Sequence, residues 1–165
     1  EDESPCESTV YEDALAALNY LKSRFTSQRI FIYGHSLGGA VAIELATRRE
    51  AKDTAGLIVE STFTSILDMS RLQYGGLLQF LPVDLLLTER FDSVSKIGSI
   101  KRPVLIIHGE KDSRVPCRMS ETLREKAGEW ATLHLVEGAG HEDCCLIGKV
   151  EYRKRVCDFV SGCLN

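Results

Sequence analysis

Serine, histidine and aspartate are the side chains from which a nucleophile, its base and the acid orienting that base are assembled. One segment frames a serine in a telling way. Gly34-His35-Ser36-Leu37-Gly38-Gly39 fits the spacing G-x-S-x-G. It follows a short apolar run, Arg29-Ile30-Phe31-Ile32-Tyr33, and it opens the Ala-, Val- and Leu-rich stretch from Gly38 to Arg49. A serine on a sharp strand-to-helix turn needs an unusual backbone angle, and glycines two residues to either side let the two elements pack closely. Such a turn pushes the Ser36 hydroxyl out of the sheet. It also aims the Leu37 amide and the helix N-terminus at the same point, where an oxyanion can be stabilised.

A serine hydroxyl is a poor nucleophile until a base takes its proton. Four histidines are available. His35 adjoins the serine, so its side chain is expected to point elsewhere. His108 closes an apolar run and reads as a structural hydrogen-bonder. His134 lies within another run and reads as packed or surface-facing. His141 follows the loop Glu137-Gly138-Ala139-Gly140, which brings it to the sheet edge where Ser36 stands. It is the favoured base. Its orienting acid is sought after the third apolar run, where Glu110 and Asp112 both fall. Asp112 is preferred because G-x-x-D-x-x-V-P matches Gly109 to Pro116. A turn without chemistry, a solvated loop histidine and a solvated loop acid are the plain alternatives for each residue singly. The set weighs more than its members: Ser36, Asp112 and His141 each fall just after a strand, at the edge where α/β sheets place their sites.

The elements that position these residues alternate. Thr9-Val10-Tyr11-Glu12 has a capping-box pattern with Thr9 as N-cap, and apolar residues from Val10 to Phe25 recur at helical spacing. Strands are expected at 29–33, 56–60, 104–108 and 132–136, and helices at 38–49, about 117–127 and 147–162. Uniformly apolar strands alternating with helices imply a parallel sheet covered on both faces. Residues 64–100 break the rhythm. Leu67, Met69, Leu72, Leu77, Leu78, Phe80, Leu81 and Leu85 to Leu87 come without a strand pattern, and Pro82 interrupts them. One or two short inserted helices are expected. They read as a cap packed on the core, or as an apolar wall that receives an acyl chain or touches a membrane surface.

The chain has 165 residues, which suits one domain. Lys and Arg number 20 and Asp and Glu 24, a net charge of −4. No basic field exists to collect phosphates, so a nucleic-acid binder is excluded. No apolar run has the length of a membrane span, and the acidic start is neither a signal peptide nor a presequence. The six cysteines match no zinc or C-x-x-C spacing and are expected as free thiols in a reducing compartment. That places the chain inside the cell, in the cytoplasm. A metal cluster of Cys144, Cys145 and His141 lacks further ligands at a workable spacing.

Tyr11 through Leu21, Ile32 to Ala40, Glu60-Ser61-Thr62-Phe63, Pro103 to Pro116 and Gly138 to His141 together resemble the α/β-hydrolase superfamily, of the serine esterase and serine aminopeptidase-like type with a short cap. The order Ser, Asp, His agrees. The resemblance implies an α/β fold of three layers, α/β/α, with a parallel sheet. It implies Ser36 as nucleophile, His141 as general base and Asp112 as its partner, acting on an ester, thioester or amide of a small or acylated substrate, with no metal or organic cofactor. It also implies that residues 1–165 correspond to the C-terminal part of one such domain, with a cap insertion at about 64–100. The family's earlier strands, and the loop giving a second oxyanion amide, have no counterpart in residues 1–28. Two expectations follow. Losing one oxyanion donor costs about 100- to 1000-fold in rate, so the chain is expected to be a weak hydrolase or an inactive binding module. Strand 29–33 is expected at an open edge, where it can self-associate.

Overall fold

The computed structural model describes residues 6–78 and 87–165. Four parallel strands stand in the order β1 (Phe31–His35), β2 (Gly56–Glu60), β3 (Val104–Gly109) and β4 (Ala131–Val136). Between them run α1 (Glu7–Lys22), which precedes β1, α2 (Leu37–Thr47), α3 (Ile66–Leu78), α4 (Ser93–Ile97), α5 (Arg118–Ala127) and, after β4, α6 (Cys144–Leu164).

The apolar strands are apolar throughout because both faces are covered. Successive residues of a strand point to opposite faces. Leu57, Val59, Val104 and Ile106 pack with Leu18 of α1, Ile43 of α2, Ile97 of α4 and Leu123 of α5. Ile58, Leu105 and Ile107 turn the other way, onto Cys144, Tyr152, Val156 and Phe159 of α6. The result is the three-layer α/β/α sandwich with a parallel sheet that the alternation implied. At the edge strand, Phe31 meets Phe159 edge-to-face at 6.2 Å, while Tyr33 is 56% exposed.

Several boundaries differ from the sequence reading. The first helix starts before Thr9: Cys6 is the N-cap, and Thr9 sits three residues in, its Oγ1 accepting from the Cys6 amide at 2.9 Å. Arg29 belongs to a single 3-10 turn, so β1 begins at Phe31 and runs on through Gly34 to His35. The last helix begins at Cys144, with a non-helical residue, Lys149 (φ 41°), near where the 147–162 reading placed its start. The inserted segment carries α3 and α4, as expected, and Ile66 and Met69 pack against Tyr11, Phe63 and Phe91. Residues Phe80, Leu81, Pro82, Leu85 and Leu86 lie outside the described part. No described helix is long and apolar enough to cross a membrane.

Candidate active site

Ser36 caps α2 with φ 53° and ψ −121°, a conformation that costs an L-residue energy and persists only where neighbours enforce it. Those neighbours are visible. The Ser36 amide donates to the Glu60 carbonyl at 2.9 Å, continuing the β1–β2 ladder through the turn. Its carbonyl accepts from the Gly39 amide at 3.0 Å and from Thr62 Oγ1 at 2.8 Å. A Cβ on Gly34 would stand 2.1 Å from the Gly38 carbonyl oxygen, and one on Gly39 would stand 2.5 Å from Thr62 Cβ. Gly38 has open space instead. The close packing expected of the pair Gly34 and Gly38 is therefore the work of Gly34 and Gly39. Leu37 opens α2, so its amide is among the N-terminal amides with no intrahelical acceptor, and its side chain is 46% exposed.

The three residues read from the sequence meet. His141 Nε2 lies 3.0 Å from Ser36 Oγ, and His141 Nδ1 lies 2.7 Å from Asp112 Oδ2. Asp112 Oδ1 accepts from the amides of Arg114 and Val115 at 2.9 and 2.8 Å. Its side chain is fully buried, while that of His141 keeps a 9% opening. Glu110, the alternative acid, is exposed, and its backbone amide joins the Val136 carbonyl. The loops bearing Asp112 and His141 are joined to each other. The Lys111 amide donates to the Ala139 carbonyl at 2.8 Å, and a Cβ on Gly109 would stand 2.2 Å from the Gly140 carbonyl oxygen. At the rim Arg114 pairs with Glu142 at 2.5 Å, both largely exposed, an arrangement of little energetic weight.

Two more histidines belong to the site. His35 lies against His141: its Nε2 donates to the His141 carbonyl at 2.8 Å, and the rings lie 5.1 Å apart. His108 is fully buried behind Asp112 and touches Oδ2 at 3.1 Å through Nε2. Burial disfavours its charged form and holds its pKa below the ordinary value, against the Val115 carbonyl and Asp112, which act to raise it. The sequence reading placed His108 among structural hydrogen-bonders without seeing its acceptor, and it missed the His35 contact. Both residues flank strand ends, which was the available signal. His134 is half-buried and apart from the site, and burial lowers its pKa too.

The cysteines are all free thiols. Cys144 is buried between Ser61 and the Gly140 carbonyl, and burial pushes its thiol up to about 12, with Glu60 adding to the effect. A thiol so protonated is no nucleophile near neutrality. Cys145 faces solvent. A cleft of about 610 Å³ borders the Asp112 loop, lined by Met69, Leu72 and Gln73 of α3 and by Ser113, Arg114 and Pro116.

Known proteins share this arrangement of elements. The chain is 37% identical over 149 residues to protein bem46 of Schizosaccharomyces pombe, an alignment covering 87% of the chain and 48% of that protein. It is 34% identical over 159 residues to human alpha/beta hydrolase domain-containing protein 17B, covering 95% and 51%. The chain thus spans about half the length of the curated relatives it matches. Among solved structures, the esterase Pf2001 of Pyrococcus furiosus superposes with a TM-score of 0.71 at 22% identity, over 92% of this chain and 60% of that one. The fold is that of the α/β-hydrolases. The model of the prolyl oligopeptidase family matches residues 6–165, nearly the whole chain, and the chain belongs to that family.

Proposed function

We propose that the chain carries the catalytic machinery of a serine hydrolase that cleaves an ester, thioester or amide through an acyl-enzyme. The observation that carries this reading is the unbroken run of contacts Ser36 Oγ, His141 Nε2, His141 Nδ1, Asp112 Oδ2, at 3.0 and 2.7 Å. His141 accepts the Ser36 proton as Oγ attacks the carbonyl carbon. Asp112 holds the imidazole in the tautomer with Nδ1 protonated and stabilises the imidazolium that forms. The Leu37 amide, backed by the α2 dipole, donates to the oxyanion. The imidazolium returns its proton to the leaving group, and a water activated by His141 then releases the acyl group. Leu72 and Met69, beside the Asp112 loop, support α3 as an apolar wall for the acyl part of the substrate.

The test is labelling by a fluorophosphonate probe, which phosphonylates an activated serine. Labelling of the intact chain that Ser36→Ala abolishes is the expected result. A second reading, a binding module without turnover, is favoured by β1, which stands at the end of the sheet among the described residues. There a groove of about 660 Å³ is lined by Leu21, Phe25 and Phe31, and this edge suits strand pairing with another chain. Folded chain that resists the probe supports that reading instead.

A further inference from the structure

We propose that His108, locked by Ser120 and Val115, is a positioning residue for Asp112, so that the acid of the site is bonded to one imidazole and braced by a second. The proposal rests on the serine hydrolase reading. It starts from the ring's tautomer. The Val115 carbonyl, 2.9 Å from His108 Nε2, can only accept, so Nε2 carries the proton. The ring is fully buried, which disfavours its charged form, so Nδ1 is taken to keep its lone pair. Ser120 Oγ, itself fully buried on α5, lies 2.5 Å from Nδ1 and donates to it. Each ring nitrogen thus has a partner of the one polarity it can use.

The Nε2 proton goes to the Val115 carbonyl, and Asp112 Oδ2 stands 3.1 Å from the same nitrogen, in close contact with its N–H dipole. Oδ2 is also the oxygen that accepts the hydrogen bond from His141 Nδ1–H. Two backbone amides hold Oδ1, the His141 imidazole holds Oδ2 and the His108 ring abuts it, so the carboxylate can neither rotate nor shift without losing a partner or meeting that ring in a dry setting. A second consequence is electronic. An N–H dipole against Oδ2 draws charge from it and moderates its hold on the His141 imidazolium. The ionisable groups against this pair of rings are Asp112, beside both, and His35 from β1, beside His141; Arg114 and Glu142, on the same two loops, pair with each other.

The test uses the intact chain and the rate of fluorophosphonate labelling followed against pH, with saturation separating the bound step from binding. His108→Met fills the space but offers no donor, and His108→Gln restores an N–H. In His108→Met the plateau rate is expected to fall about 10- to 100-fold with half-saturation unchanged, as loss of an outer partner of a catalytic group does. The rising limb, where His141 becomes free to accept a proton, is expected to move to higher pH, because Asp112 then serves one imidazolium alone. His108→Gln recovers both. Ser120→Ala, which keeps the ring but removes its anchor, moves both in the same direction by less. A core-filling role would lower the melting temperature and leave the limb in place. A plateau and limb matching the unsubstituted chain in His108→Met, or in Ser120→Ala if the methionine variant does not fold, overturn the proposal. Absence of Ser36-dependent labelling in the unsubstituted chain overturns the hydrolase reading itself, and this proposal with it.

Discussion

Ser36, at φ 53°, holds a conformation that its own chemistry does not favour, and the groups around it show what enforces it. Its amide, its carbonyl and its hydroxyl are each held by a different element: β2, Thr62 and the loop of His141. His141 is held in its turn by His35 through its backbone carbonyl. Removing that N–H in His35→Leu is expected to slow labelling roughly 10- to 100-fold while melting changes little, since a misplacement of about 1 Å at the base has this cost. Labelling at the unsubstituted rate would show that the 2.8 Å contact is incidental. At this scale the sequence was most legible for residues whose role depends on place in the chain. Ser36, Asp112 and His141 follow strand ends, and the spacing marks them. It was least legible for His35, whose contact lies 106 residues away, and for His108, whose contacts with Asp112 and Ser120 are near in sequence but are made only once the loop after β3 has folded back on the strand.

The turn between β1 and α2 shows how far a motif stands for its geometry. Gly34 is required by contact, because any side chain meets the Gly38 carbonyl at 2.1 Å. Gly34→Ala is expected to destabilise the fold by about 1–3 kcal/mol, the usual cost of overpacking, read as a lower melting temperature. Gly38 sits in a helix, and a methyl group there would meet nothing within 4 Å. Gly38→Ala is therefore expected to fold at least as stably, by up to about 1 kcal/mol. Equal losses in the two variants would contradict this difference in packing. The strands were legible for a related reason. Val104 to Gly109 is bounded by Pro103 and ends in glycine, and every residue in it is buried, so pattern and element coincide. Ile30 misled because it is buried yet precedes the strand: its amide closes a turn on the Ser27 carbonyl. The last helix misled because Cys144 is drawn under the sheet by Glu60 and Ser61, contacts that no local periodicity encodes.

Over the whole molecule, the buried imidazoles couple the fold to pH. His108 and His134 both have lowered pKa values in the folded state, with burial as the largest cause. In the unfolded chain a histidine takes a proton near pH 6.5, whereas these two resist it when folded. The unfolded state therefore binds more protons below that pH. Stability is expected to be level above about pH 6.5 and to fall as the pH drops below it, and His108→Gln is expected to flatten part of that slope. Thermal melts from about pH 8 to pH 5, which bracket the histidine range, check this, and a flat profile in the unsubstituted chain would contradict it. The sheet adds a mechanical consequence. Acid and base ride on the adjoining ends of β3 and β4, fastened by the bond from the Lys111 amide to the Ala139 carbonyl, whereas Ser36 rides on β1 with β2 between. The Asp112 and His141 loops are thus joined to each other, and Ser36 meets them from across β2. The His35 bond to the His141 carbonyl is then the tie that reaches from β1 to the far loop, so a variant that cuts it is expected to widen the 3.0 Å gap from Ser36 to His141 before the 2.7 Å one from His141 to Asp112.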